Sequence, residues 1–191
     1  MNVNAAIATD RASYRNRGSL VQRAISRYKA ARYFTACGED VVIKRSTEFR
    51  LVENAVLEVG EGCTIQDYAF FQLTMPTPKV YIGNNTVIDR HNIITAKNSI
   101  RIGSDVLIGS YVQIIDHSHG IERSLSMREQ RALIGEVEIG DDVWIGAGAK
   151  ILMGAKIGRG AVIGANTVVR GEIPDYAIAV GSPACVVKHR E

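Results

Sequence analysis

Residues 139–169 read IGDDVWIGAGAKILMGAKIGRGAVIGANTVV. Ile139, Ile145, Ile151, Ile157, Ile163 and Val169 follow one another at a spacing of six without a miss. Glycine follows four of them, at Gly140, Gly146, Gly158 and Gly164. A period of six matches neither the helical repeat nor simple strand alternation. It fits a chain that makes a short strand, turns a corner and starts another strand, with the aliphatic residue pointing inward on each face. The next residue is expected to take the corner, where glycine or asparagine tolerates positive φ. Three hexads then close one triangular coil, and coils stack at a strand spacing of about 4.8 Å. Ile139 should lie beneath Ile157, Ile145 beneath Ile163, and Ile151 beneath Val169. Each coil needs its neighbours to bury its aliphatic residues. Sandwich strands joined by glycine turns would not hold this phase. The pattern predicts an all-β solenoid, a parallel β-helix.

Upstream, Ile82, Ile88, Ile94, Ile102, Ile108 and Ile114 form a second run. The step from Ile94 to Ile102 is eight, so two extra residues sit at KNSI. Val59-Gly60, Ile65 and Phe71 make an earlier, less regular run. The 191 residues suit one domain with a small appendage. A net charge of +3 is too small to argue for nucleic acid. No apolar run reaches the length of a membrane helix, and MNVNAAIATDRASYRNRG lacks the apolar middle of a signal peptide. Cys37, Cys63 and Cys185 are odd in number and lack metal-ligand spacing, which reads as reduced thiols in a cytoplasmic protein.

Residues 1–34 depart from the mean. Arg11, Arg15, Arg17, Arg23, Arg27, Lys29 and Arg32 stand against Asp10 alone, seven positives less one negative, or +6. From about Ser19 to Phe34, Leu20, Val21, Ala24, Ile25, Tyr28, Ala31 and Tyr33 fall near helical spacing. An amphipathic helix is expected, its basic face solvated and the helix packed against the main body. Contact with a membrane surface or an acidic partner is the sharper alternative.

The ladder stops at residues 114–120, IIDHSHG, where two of the four histidines appear beside an aspartate. From Ile114 to Ile139 the gap is 25, and DHSHGIERSLSMREQRALIGEVE has no six-residue phase. It reads as an excursion leaving the coil after Ile115, and loops on a rigid scaffold are where chemistry tends to sit.

The stretch EVEIGDDVWIGAGAKILMGAKIGRGAVIGANTVVRGEIPDYAIAVGSPACVVK resembles the hexapeptide-repeat acyltransferases, most closely the branch of maltose, galactoside and polysaccharide O-acetyltransferases. The similarity runs from roughly Val80 to Lys188. It implies a left-handed β-helix, a homotrimer, and acetyl-CoA as co-substrate in the groove between neighbouring subunits. The expected layout is an N-terminal helical extension over 1–40, the β-helix over 41–178 with its loop at 116–136, and a C-terminal cap over 179–191.

The resemblance places a catalytic histidine just after the last hexad before the loop, and His117 is the matching position. A thioester is already activated, whereas a hydroxyl needs a base to take its proton as it attacks, which suits histidine. Asp116, His119 or a backbone carbonyl could fix the tautomer of His117. Asn92 matches a family asparagine that binds the acceptor sugar, and a corner asparagine is the alternative. His91 and His189 read as structural or surface residues.

On the coenzyme side, Trp144 matches a tryptophan near the pantetheine arm. Gly146 and Ala147 follow it, and Ala147 stands where some relatives carry serine, so a side-chain oxyanion donor is missing there. Ala165 and the pair Arg170-Gly171 match coenzyme contacts, the family pair often being Thr-Lys. Lys188 matches a basic position, and Cys185 falls where some relatives have arginine. Basic residues here suit the phosphates of the coenzyme. No metal is expected.

The expected reaction moves acetyl from acetyl-CoA to a sugar or glycan hydroxyl. An amino-sugar N-acetyltransferase is the nearest rival, and a γ-carbonic-anhydrase-like metal enzyme a more distant one. By family analogy the acceptor belongs to polysaccharide synthesis, with peripheral contact to a membrane or a glycan-synthesis complex.

Overall fold

The computed structural model describes residues 19–191. The basic residues Arg11, Arg15 and Arg17 of the expected extension lie outside them. The described chain is one helix, α1 (Leu20–Tyr33), followed by short strands wound into three parallel sheets. The first sheet stacks β1 (Ala36–Cys37), β4 (Val56–Val59), β7 (Lys79–Ile82), β10 (Ser99–Ile102), β15 (Glu136–Ile139), β18 (Lys156–Ile157) and β21 (Glu172–Ile173). The second stacks β2 (Val42–Ile43), β5 (Thr64–Ile65), β8 (Val87–Ile88), β11 (Leu107–Ile108), β16 (Trp144–Ile145), β19 (Val162–Ile163) and β22 (Ala177–Val180). The third stacks β3 (Glu48–Leu51), β6 (Phe70–Leu73), β9 (Ile93–Ala96), β12 (Gln113–Ile115), β17 (Lys150–Ile151) and β20 (Val168–Val169). The chain visits the sheets in turn, so they are the faces of a triangular prism.

The register is the one the ladder dictates. Ile139 pairs with Ile157, Ile145 with Ile163, and Ile151 with Val169. All six are buried. Inward columns such as Ile65–Ile88–Ile108–Ile145–Ile163 fill the prism.

One expectation about the corners is corrected. The residue directly after the aliphatic one, glycine in four of the six hexads, does not adopt positive φ; along the run to Asn166 the residue two places later does. Asp142 (φ 56), Gly148 (φ 75), Gly154 (φ 84), Gly160 (φ 67) and Asn166 (φ 56) occupy that place. The first glycine is needed for space: a Cβ on Gly140 would lie 2.8 Å from the backbone nitrogen of Arg159 in the next coil.

Polar corner side chains tie coil to coil. Asn84 Oδ1 accepts from the Glu61 N–H at 3.0 Å, Ser104 Oγ from Asn84 at 3.0 Å, and Asp141 Oδ1 from Ser104 at 2.8 Å.

The first coil has an open end with unpaired backbone groups, and such an end must be capped. Tyr33 and Phe34 pack on Phe49, which stacks on Phe71 with ring centroids 5.1 Å apart. Helix α1, capped by Ser19, lies across this end. It does so with a mixed side: Ala30 and Tyr33 pack there beside hydrogen-bonding Gln22, Ser26 and Lys29, while Leu20, Val21 and Tyr28 of the expected apolar set stay exposed. Gln22 Nε2 donates to the Ile43 carbonyl at 2.7 Å, and Ser26 Oγ accepts from the Ile43 N–H at 2.9 Å. Lys29 Nζ donates to the carbonyls of Lys44, Arg45 and Thr47 at 3.1, 2.7 and 2.6 Å. The physical reason for the polar residues is that a sheet edge asks for hydrogen bonds, which apolar side chains cannot give. At the other end, β23 (Cys185–His189) pairs antiparallel with β22 and covers the last strand of the second sheet.

Candidate active site

The step from Ile114 to Ile139 spans 25 positions where a hexad needs six, so 19 residues are carried outside the coil. The excursion leaves at the edge between the third and first sheets. Its root is a two-stranded ribbon, β13 (His117–His119) against β14 (Ala132–Ile134), with His117 opposite Ile134. The loop is internally bonded: Gln130 Nε2 donates to the Glu122 carbonyl at 2.7 Å, and the Gly120 N–H to the Arg131 carbonyl at 2.9 Å.

Asp116 sits at the root and is fully buried. Its carboxylate accepts from the Lys97 N–H at 2.9 Å and the Asn98 N–H at 2.7 Å, both in the preceding coil. Its Oδ1 is also 2.9 Å from Nδ1 of His117. A carboxylate only accepts, so Nδ1 carries the hydrogen in this bond. In the neutral imidazole the other ring nitrogen, Nε2, is then the one that keeps a lone pair. Of the three partners open in the sequence, the structure selects Asp116.

The two extra residues at KNSI now have a use. Their turn supplies the N–H pair that holds Asp116, and Asn98 Nδ2 donates to the Gly135 carbonyl at 3.1 Å. The Gly135 N–H in turn donates to the Asp116 carbonyl at 2.8 Å. Lys97 and Asn98 therefore fasten both limbs of the loop. The length anomaly between Ile94 and Ile102 was the only sequence signal for them. Met153 was also missed: its side chain closes over Gly135, where a Cβ would meet Met153 Cγ at 2.6 Å.

His119 is exposed on the ribbon opposite Ala132. Asn92 is 1% exposed, and its amide is spent within the wall. Its Nδ2 donates to the Asp89 carbonyl at 2.7 Å and its Oδ1 accepts from the Val112 N–H at 2.7 Å. This corrects its reading as an acceptor contact, and the left-handed corner is its neighbour His91 (φ 58). His91 stacks between Tyr68 and Tyr111 at centroid distances of 4.9 and 4.8 Å. Among the described residues no group of three or more His, Cys, Asp or Glu is placed to hold a metal ion.

The coenzyme candidates divide between two edges of the prism. Trp144 stands outward on β16, 54% exposed, between Leu107 and Val162 in register. Gly146, Ala147 and Ala165 follow at the edge between the second and third sheets, where the Asn166 N–H donates to the Ala147 carbonyl at 2.9 Å. Arg170 and Gly171 lie instead at the edge that carries His117, Arg170 exposed and Gly171 with φ 82. Cys185 and Lys188 are exposed on β23.

Residues 136–171 match the family model described as bacterial transferase hexapeptide (six repeats). The match spans 36 of the 191 residues and takes in the last run of hexads. The hexapeptide repeat, together with the three-faced parallel prism, is consistent with a left-handed β-helix. No curated protein matches the chain.

Solved structures share the fold. The N-acyltransferase AntD of Bacillus cereus, in complex with dTDP and 3-hydroxybutyryl-CoA, aligns with a TM-score of 0.75 at 20% identity, over 87% of this chain and 88% of its own. A hexapeptide-repeat-containing acetyltransferase of Vibrio cholerae O1 biovar eltor, complexed with acetyl coenzyme A, aligns with a TM-score of 0.67 at 20% identity, over 96% and 86%. Galactoside acetyltransferase in complex with coenzyme A aligns with a TM-score of 0.64 at 23% identity, over 95% and 77%. At these identities the likeness is one of fold.

Proposed function

We propose that this protein is an acyl-CoA-dependent transferase that moves an acetyl group from acetyl-CoA to a hydroxyl of a sugar or glycan precursor. The observation that carries the reading is the Asp116–His117 pair at the root of a loop on a hexapeptide-repeat prism. Three structural neighbours bound to CoA or an acyl-CoA support it.

In the proposed reaction the acceptor hydroxyl attacks the thioester carbonyl directly. Nε2 of His117 takes the hydroxyl proton, the carbon–sulfur bond breaks, and the thiolate of CoA leaves and takes up that proton. Asp116 keeps Nδ1–H in place and stabilises the imidazolium that forms. Trp144, Gly146, Ala147, Ala165, Arg170, Gly171, Cys185 and Lys188 are the proposed coenzyme contacts. Their division between two edges of one prism is what a groove between two copies would join, in keeping with a homotrimer. His119, exposed beside the pair, is a proposed acceptor contact.

A second reading, transfer to an amino group of a nucleotide-linked sugar, is favoured by the alignment with AntD, an N-acyltransferase crystallised with dTDP. The same base serves both. The test follows free thiol released from acetyl-CoA with a panel of sugars, amino sugars and nucleotide sugars, for wild type and His117→Ala. Release that depends on an acceptor and collapses in the variant supports the transferase and its base. No binding of acetyl-CoA by calorimetry would sink it.

A further inference from the structure

Helix α1 faces the prism with Gln22, Ser26 and Lys29 flanked by half-buried Ile25, Ala30 and Tyr33, and its other apolar residues form a stripe that looks outward. Leu20 is 82% exposed, Val21 68% and Tyr28 69%. At 100° per residue these three and the exposed Ala24 and Ala31 share one stripe. Arg23 and Arg27 border the stripe on one margin and Arg32 on the other, and the helix has no acidic residue. The stripe therefore runs between arginines, the reverse of an ordinary surface helix.

The direction of this face follows from the hydrogen bonds. The Val42 and Lys44 N–H groups donate into the next coil, to Cys63 and Ile65 at 2.8 and 2.9 Å. The Ile43 N–H and carbonyl point the other way and are taken by Ser26 and Gln22. In a β-helix these bonds run along the prism axis, so α1 lies off its end and the outer face of α1 looks away along that axis. A flat surface could meet it without touching the catalytic loop.

We propose that the outward face of α1 docks on an anionic lipid bilayer. Leu20, Val21 and Tyr28 enter the boundary between headgroups and acyl chains, and Arg23, Arg27 and Arg32 meet headgroup phosphates while their stems lie along the apolar boundary. Charge selects this occupant: the sequence before the helix adds Arg11, Arg15 and Arg17 against Asp10. The mode is interfacial. No helix among the described residues is long and apolar enough to cross a membrane. One short apolar stripe with a basic margin gives reversible, salt-sensitive attachment. Glu39 and Asp40, which line the cleft beside Arg23 and Arg27, weaken the attraction on that margin.

The test is flotation of the full chain with vesicles of phosphatidylcholine alone, or with about a third phosphatidylglycerol. Two variants are compared with wild type: Leu20→Glu/Val21→Glu/Tyr28→Glu and Arg23→Gln/Arg27→Gln/Arg32→Gln. These side chains lie outside the core, and circular dichroism checks that the fold is kept. The wild type should float with the anionic vesicles only and leave them in high salt. Each variant should lower the bound fraction at least about tenfold. Failure of the wild type to bind anionic vesicles overturns the proposal. So does binding that neither variant changes, which would place it outside α1. A mass increase in solution that the triple-Glu variant abolishes also overturns it, since the occupant is then a second copy. The readout needs no acetyl-CoA, so it stands or falls separately from the transferase reading.

Discussion

Asp116 Oδ1 lies 2.9 Å from Nδ1 of His117, with the aspartate side chain fully buried and the histidine 21% exposed. A carboxylate held by two backbone N–H groups cannot turn away from the ring. The imidazole, partly exposed at the loop root, is held through Nδ1 by that carboxylate. His117→Ala should lower kcat by about 10²–10⁴-fold and leave the Kd for acetyl-CoA unchanged. Steady-state rates beside calorimetry of coenzyme binding check this. Asp116→Asn would set an amide N–H against the N–H groups of Lys97 or Asn98, or against Nδ1–H. It should lose rate and also stability, by about 1–3 kcal/mol.

Asn98 holds the return limb of the loop through the Gly135 carbonyl. Asn98→Ala removes that bond but keeps the backbone N–H on Asp116. The expected result is faster tryptic cleavage at Arg123, Arg128 and Arg131, with a fall in kcat of a few-fold, or about 1 kcal/mol. If the cleavage rate matches wild type, Asn98 does not fasten the loop.

Gly140 and Gly154 separate space from strain. Gly140→Ala puts a methyl 2.8 Å from the Arg159 nitrogen and 3.1 Å from Gly158 C, both backbone. It should cost about 1–3 kcal/mol in denaturant unfolding. Gly154→Ala meets nothing within 4 Å, but its φ of +84 is left-handed. It should cost about 1–2 kcal/mol. Crystal structures of the two variants would show a shifted neighbouring coil only for Gly140→Ala.

Burial pushes the Cys63 thiol up to about 11. Its Sγ donates to the Gly83 carbonyl at 3.0 Å. The folded thiol stays protonated while the unfolded one ionises from about 9, so the folded state binds more protons in that window. Stability should therefore fall as pH rises from about 9 to 11, by at most about 1.4 kcal/mol per unit from this group. Cys63→Ser can keep the hydrogen bond and does not titrate, so its unfolding curve should lack this part of the slope. Exposed Cys37 and Cys185 should react with a thiol reagent well before Cys63.

The hexad phase told most of the fold in advance. Ile139, Ile145 and Ile151 found the partners their spacing named, because a residue every sixth place must lie on the same inward column. The break at Ile115 and the histidines beyond it were equally legible, since a lost period is itself a local signal. The partner of His117 was not. Asp116 was one of three choices, and what holds it is a pair of N–H groups 18 and 19 residues earlier. Asn92 looked like a site residue because a buried amide and an exposed one are written with the same letter.

By itself the sequence determined the prism, its register, and the point where a loop leaves it, because side-chain period is a local property that every coil repeats. Only the tertiary structure decided which way α1 turns, which group bonds to His117, and why glycine follows four of the six aliphatic residues. Those outcomes depend on hydrogen bonds and close approaches between successive coils. A corner glycine, a polar helix residue and a buried carboxylate each take their meaning from the backbone that the next coil lays against them.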